Sequence, residues 1–270
     1  MKHRIIFFDV DGTITSTKDG SIPQSTKIAI KKLLDNDFKV VAATGRPLSM
    51  CDEIVELGID TFITANGAYV THQGTCIHKK VLRSETVHLF NTFAAKQLHA
   101  LTYSSDTLQM NEVQNSKVLD ALYETLRLKE FPPINTEAHL SETYLLCLFA
   151  DDLEIEKYKT QFPWIQFKRW HPYIVNVLEE DISKSAAIKK VLDYFGFTKE
   201  EAIAFGDGDN DVDMLELVDL SVAMGNANEQ LKSIANFVTK DSSEDGIEWA
   251  LKKYGLICNL QKSQLSVWNM

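Results

Sequence analysis

Apolar residues near the start of the chain gather in short unbroken runs, each stopped by a polar or glycine-rich turn. Ile5-Ile6-Phe7-Phe8 is the first run, and four consecutive apolar residues predict a strand buried on both faces. Pro23 to Asn36 then places Ile28, Leu33 and Leu34 at helical spacing. Phe38 to Ala43 predicts a second buried strand, residues 48–57 a helix, and Phe62-Ile63-Thr64 a third strand. Strand–helix–strand at this spacing predicts βαβ units around a parallel sheet. The alternation returns near Ile182, with a helix over 184–195, a strand from Ala202 to Phe205 and a helix ending at Leu217. A strand over 220–223, a helix near 227–234, a strand at 237–238 and a helix near 246–254 complete it.

The middle of the chain has a different texture. It predicts helices near 86–99, 116–128 and 152–161, with strands near 100–110 and over 143–150, 165–170 and 173–178. Aromatic residues are more frequent there, and nothing suggests a parallel sheet. The expected organisation is therefore α/β, a doubly wound parallel sheet built from 1–83 and 181–270, with an α+β domain inserted over 84–180. The tail from Cys258 shows no clear period.

Composition narrows the partners. A chain of 270 residues can hold one large core or two domains. A net charge of -10 argues against nucleic acid or an anionic membrane as the main partner, yet leaves a small anionic substrate open. Oligomeric state is not readable. The apolar run after Met1-Lys2-His3-Arg4 stops at Asp9, too soon for a signal peptide, and nothing approaches the length of a membrane span. Cys51, Cys76, Cys147 and Cys258 are isolated, which fits reduced thiols in the cytoplasm better than a zinc site.

Candidate chemistry sits at the strand ends. Asp9 and Asp11 follow the first strand, Thr44 the second, and Asp207 and Asp211 the strand after the insertion, while Lys184 opens the helix before it. In a doubly wound sheet such tips share one edge, where ligands bind. Four carboxylates crowded there would repel, and a hard divalent cation such as Mg²⁺ relieves that. The set has no His or Cys, which disfavours zinc. The metal, Lys184 and the Thr44 hydroxyl would form a pocket for a phosphoryl group. One acid is then free to act as nucleophile, with Asp9 the natural choice, and Asp11 can serve as acid and base. Plainer alternatives stand beside this: solvated acids at a turn, Thr44 as a helix cap, and Lys184 as a solvated residue in a Ser183-Lys184-Ser185 cap. Asp209 and Asp213 read as surface or capping acids, Arg169, Trp170 and His171 as a core tryptophan between polar edge residues in preference to substrate-facing groups, and Arg46 as reaching either the site mouth or a surface acid.

Asp9-Val10-Asp11-Gly12-Thr13, Ala43-Thr44-Gly45-Arg46, Lys184 and Gly206-Asp207-Gly208-Asp209-Asn210-Asp211, in this order, resemble the four motifs of the haloacid dehalogenase superfamily. Asn66-Gly67-Ala68 and Ala223-Met224-Gly225-Asn226-Ala227 further resemble its Cof-type sugar-phosphatase branch, as does the long insertion. Ser185 stands where the family usually has glycine. The resemblance implies a Rossmann-like core with an inserted cap, and a Mg²⁺-dependent phosphatase acting on small phosphorylated metabolites such as sugar phosphates. It implies Asp9 as nucleophile, Asp11 as acid/base, Thr44 and Lys184 on the phosphoryl oxygens, and Asn210 contacting the phosphate or orienting Lys184. Asp9, the Asp11 carbonyl and Asp207 would hold Mg²⁺, with Asp211 a ligand or close behind. A phosphomutase on the same scaffold stays open, as do a phospho-accepting domain and a catalytically idle phospho-ligand-binding protein; a carbon–halogen hydrolase would need neither Mg²⁺ nor Asp11.

Overall fold

The computed structural model describes residues 2–179 and 182–258. The chain opens with β1 (Ile5–Phe8), α1 (Gln24–Asp35), β2 (Lys39–Ala43), α2 (Asp52–Val55) and β3 (Thr61–Thr64). A hairpin follows, β4 (Tyr69–His72) and β5 (Thr75–Lys79). The middle contributes α3 (Ser84–Gln97), β6 (Leu101–Ser104), β7 (Leu108–Met110) and α4 (Ser116–Leu126). It continues through β8 (Leu145–Phe149), α5 (Asp152–Gln161), β9 (Gln166–His171) and β10 (Ile174–Leu178). The rest is α6 (Lys184–Phe195), β11 (Ala202–Gly206), α7 (Val212–Leu217), β12 (Leu220–Ala223), α8 (Glu229–Ile234), β13 (Phe237–Val238) and α9 (Gly246–Lys253).

Two sheets result. The larger runs in the order β13-β12-β11-β1-β2-β3-β4-β5. Its strands from β13 to β3 pair in parallel, and β4 and β5 extend it antiparallel. The parallel part is the α/β core that the apolar runs predict; the antiparallel hairpin is an addition they do not reveal. The helix expected over 48–57 is broken, with a 3₁₀ turn at Leu48–Met50 before the short α2. β1 lies at the centre because all four of its side chains are fully buried. Ile6 and Phe8 pack towards α1 and α9 on one face, while Ile5 and Phe7 pack towards α6 and α7 on the other. At about 1.5–3 kcal/mol per fully buried large apolar side chain, a charge in this run would be badly tolerated.

The second sheet has the order β7-β6-β8-β10-β9 and is antiparallel. Leu101, Tyr103, Leu146, Leu148 and Val177 pack with Phe90 of α3, Tyr158 of α5 and Phe162 just beyond it. On the opposite face Leu145, Cys147, Phe149 and Ile174 pack with Val118, Ala121 and Leu122 of α4. The second of these clusters also takes in Ala65 and Ala68, and Tyr69 stacks on Tyr144 at 4.7 Å, so the two sheets share apolar contacts. The boundary expected at 180/181 and the tail beyond Cys258 fall outside the described residues.

Candidate active site

The register of β1 on β11 decides where the acids meet. Phe8 lies opposite Phe205, their rings stack at 4.7 Å, and the Asp9 amide donates to the Phe205 carbonyl at 2.9 Å. The residues emerging next from these two strands, Asp9 and Asp207, therefore share one edge of the sheet. The chain turns away from β1 through Gly12 at φ +82°, where a Cβ would collide with the Asp207 carboxylate. Gly206 is glycine for a similar reason, since a Cβ there would overlap the Asp211 carboxylate. Gly12→Ala should cost stability by about 1–2 kcal/mol from the left-handed backbone alone. Because it also displaces Asp207, it should lower turnover at this site at least about tenfold. Thermal unfolding and steady-state kinetics check both.

Lys184 is the cation of the site. Ser183 caps α6 by accepting the Ala186 amide at 3.2 Å, which sets the first helical residue, Lys184, facing the β1 tip. Its Nζ donates to Asp9 Oδ1 and to Asp211 Oδ1, each at 2.6 Å, and the side chain is wholly buried. The alternative of a solvated capping lysine is thus excluded. Ser185, in the place of the family's glycine, leaves the geometry intact and gives its amide to Asp213 Oδ2 at 2.9 Å. Burial opposes the Lys184 charge, but Asp211 and Asp9 outweigh it and hold its pKa above the usual lysine value. Burial, together with Asp211, pushes Asp9 well above the ordinary carboxylate range despite Lys184.

Asp207 and Asp211 are fixed by different partners. Asp211 Oδ2 accepts the amides of Asp207 and Gly208 at 3.0 and 3.1 Å, so both Asp211 oxygens are engaged within the protein. Asp207 accepts from Thr13 Oγ1 at 3.0 Å and from Asn226 Nδ2 at 3.1 Å. Burial and the neighbouring Asp211 push its pKa up to about 7. Asp9, Asp207 and Asp211 each offer a carboxylate oxygen within 4.8 Å of the others. Three converging oxygens, two of them on carboxyls whose charge is disfavoured without a cation, suit a hard divalent ion. Only oxygens are offered, the donor set Mg²⁺ prefers.

The Asp11 side chain stands apart from that group. Arg46 Nε donates to its two carboxylate oxygens at 3.0 and 3.2 Å, and Arg46 Nη1 reaches Glu53 at 3.1 Å. Arg46 thus does both things left open for it, bordering the site and pairing with acids. Thr44 is fully buried at the end of β2, and its Oγ1 accepts the Arg46 amide at 3.0 Å. It supports the loop that carries Arg46 and touches none of the clustered carboxylates. Asn210 donates to Asn66 Oδ1 at 3.3 Å, and a Cβ on Gly45 would press on the same Asn66 side chain. Thr13, Asn66 and Asn226 are positioning residues that pattern reasoning missed as such, although each lies in a motif quoted for the family resemblance. Asn226 is the most connected, donating to Gly12 O and Asp207 and accepting the Ser242 amide.

A cavity of about 230 Å³ opens over these groups. Asp9, Asp11, Asp207 and Asn210 lie on its floor, and the second sheet with α4 forms the opposite wall. Trp170 is on that wall, 40% exposed and donating Nε1–H to Asn176 Oδ1 at 2.8 Å. This corrects the expectation of a core tryptophan. Asp213 caps α6 as expected, while Asp209 accepts from Asn228 and also borders the cavity.

Residues 6–251 match the family model for haloacid dehalogenase-like hydrolases. The chain is 36% identical over 261 residues to YkrA of Bacillus subtilis (strain 168), a candidate phosphatase, covering 95% of this chain and 100% of that one. It is 26% identical over 281 residues to YitU of the same organism, a 5-amino-6-(5-phospho-D-ribitylamino)uracil phosphatase, covering 94% and 98%. Its fold matches that of the subclass IIB sugar phosphatase BT4131 with a TM-score of 0.82 at 31% identity, covering 94% of this chain and 100% of that chain.

Proposed function

The chain belongs to the haloacid dehalogenase-like hydrolases, and on that premise we propose that it is a Mg²⁺-dependent phosphatase of small phosphate monoesters, sugar phosphates among them. That it is a phosphatase-type enzyme follows from its family and its named relatives. The observation that carries the mechanism is Lys184 held between Asp9 and Asp211 at the tip of a buried strand. It orients one Asp9 oxygen and leaves Oδ2 without a donor among the described residues.

In the proposed reaction an Asp9 carboxylate oxygen attacks phosphorus, and the bond from phosphorus to the ester oxygen breaks. The leaving alkoxide takes a proton from the Asp11 carboxyl. Asp11, now a carboxylate, removes a proton from water as that water attacks the aspartyl-phosphate. Breaking the phosphorus–Asp9 bond releases phosphate and restores both acids. Arg46 holds the Asp11 side chain at the cavity until substrate arrives, and Asp11 takes the proton it will donate from water as it leaves that pair. Lys184 and Thr44, with Asn210, are the groups assigned to the phosphoryl oxygens. Asp9, Asp207 and the Asp11 backbone carbonyl would hold Mg²⁺, which supplies charge stabilisation for the transferring group. Asp211, with both oxygens engaged, would act from behind.

In this reading residues 84–180 form a cap over a discontinuous core, closing the cavity against water. The free thiols among the described residues fit a cytoplasmic enzyme, and no helix among the described residues is long and apolar enough to cross a membrane. Phosphate release from p-nitrophenyl phosphate should require Mg²⁺ and stop in EDTA. Release that persists unchanged in EDTA would reject the metal assignment, and a sugar phosphate that is isomerised and not dephosphorylated would make the enzyme a mutase.

Acid should weaken the metal. Asp207 titrates near 7, so below that pH a bound ion must displace its proton. The apparent Mg²⁺ affinity should therefore fall as pH falls from 8 to 6, by up to about tenfold per unit for each proton that the ion displaces. Calorimetric titration in buffers of different ionisation enthalpy reads the affinity and the released proton together.

A further inference from the structure

The wall facing the acids has a composition that selects a leaving group. Among the described residues, every charged side chain on the cavity belongs to the floor: Asp9, Asp11, Arg46, Asp207 and Asp209. The wall from the second sheet and α4 carries none. It is largely apolar, with Leu122, Leu126, Phe149 and Ile174 beside the exposed face of Trp170, and its hydroxyls are those of Thr102, Ser104 and Thr125. A second phosphate or a carboxylate on the substrate would meet no counter-charge there, and an apolar ring face would meet hydrocarbon.

The one amide side chain on that wall is held with its donors free. Cys147 lies opposite Thr102 on β6 and opposite Asn176 on β10, so the three form one row across the sheet. Asn176 is 5% exposed and lines the cavity. Its Oδ1 accepts from Trp170 Nε1 at 2.8 Å and from Cys147 Sγ at 3.3 Å. An indole N–H can only donate, so the amide cannot be flipped without losing that bond. The Asn176 NH₂ consequently has no acceptor among the described residues and presents two donors to the cavity. The same bond consumes the Trp170 N–H, leaving its ring as a surface for stacking.

Building on the phosphatase reading, we propose that this wall selects phosphate esters whose carbon skeleton carries an uncharged planar ring with a hydrogen-bond acceptor. Asn176 is the specificity-determining residue that reads the acceptor, and Trp170 and Phe149 bury the ring. The acceptor completes the only unpaired donor pair of this row. A bare sugar phosphate fills the floor of the cavity but offers the Asn176 donors no acceptor on a planar ring.

The test compares phosphate esters with and without a planar ring, with uridine 5′-phosphate and ribose 5-phosphate sharing the ribose. Steady-state kcat/KM is measured for uridine 5′-phosphate and riboflavin 5′-phosphate against ribose 5-phosphate and glucose 6-phosphate, with p-nitrophenyl phosphate as the turnover control. The better ring-bearing ester should exceed both sugar phosphates by at least about tenfold, the discrimination expected of a buried donor pair left unpaired. Asn176→Asp keeps the shape and removes the donors, and Asn176→Leu removes the polarity. In whichever of them retains the parent's circular dichroism, the preference for the ring-bearing ester over ribose 5-phosphate should collapse towards one. Sugar phosphates turned over as well as the ring-bearing esters, or a preference that survives both substitutions, would overturn the assignment and leave the phosphatase reading standing. No turnover even of p-nitrophenyl phosphate would instead overturn that reading and this one with it.

Discussion

Asp9→Asn should reduce phosphate release by at least about a thousandfold while leaving the fold in place, because the amide cannot form the covalent phosphoryl bond. The substitution is nearly isosteric, so the packing of β1 survives. It also removes one of the carboxylates that repel at the strand tip, where burial and Asp211 already raise the Asp9 pKa. Metal-free stability should therefore be equal to or higher than that of the parent, since the introduced amide still fills the space beside Lys184. Such a split, activity lost and stability kept or gained, marks a functional acid. A structural acid would lose both. Steady-state kinetics and thermal unfolding in EDTA measure the two halves independently.

Lys184→Met should have the largest effect on stability. The side chain is fully buried between Asp9 and Asp211, both also buried, and removing it strands two carboxylates without their cation. Removing one partner of a buried ion pair typically costs about 3–5 kcal/mol. The pH dependence gives the sign. Without Lys184 the folded protein holds protons on carboxyls that the unfolded chain has already released. Its stability must therefore rise as pH falls towards the ordinary carboxylate range. The deficit relative to the parent should be greatest near pH 8 and shrink towards pH 6, as followed by urea unfolding. A deficit that is constant with pH would mean that Lys184 acts only by packing. Turnover should fall at least about a hundredfold, since the phosphoryl group loses its fixed cation.

Much of this fold is legible in the sequence because its core strands are short apolar runs ended by acids or glycine. β1, β2 and β11 are buried on both faces, so no alternation hides them. The helix over 184–195 is bounded by a serine cap and Gly196 at φ +69°, and both ends can be read directly. The hairpin of β4 and β5 is different. Its second strand is mostly exposed, and its Gln73-Gly74 turn carries no stronger signal than a loop. Trp170 escapes for a related reason. The ladder of β9 on β10 slips between Ile174 and Val175, so no residue of β10 stands opposite Trp170 and alternation cannot place its ring.

The site divides along the same line. Asp9, Asp11, Asp207 and Lys184 occupy strand or helix ends, which spacing locates. Which partner each one takes is a tertiary matter. Nothing in the spacing says that Arg46 will hold Asp11, that Thr44 will spend its oxygen on the Arg46 amide, or that Asn226 will brace both Gly12 and Asp207. These choices follow from loops brought together across β12, β11, β1 and β2, and the strand order sets them.

The most direct test of the account is to trap the covalent enzyme. A phosphorus-labelled ester mixed with excess enzyme in Mg²⁺ and quenched in acid within one turnover should leave label on a single peptide, attached to Asp9. The label should be absent from Asp9→Asn and should decay at the rate of phosphate release when the quench is delayed. Full single-turnover release with no labelled protein, or label carried by Asp11, would contradict it.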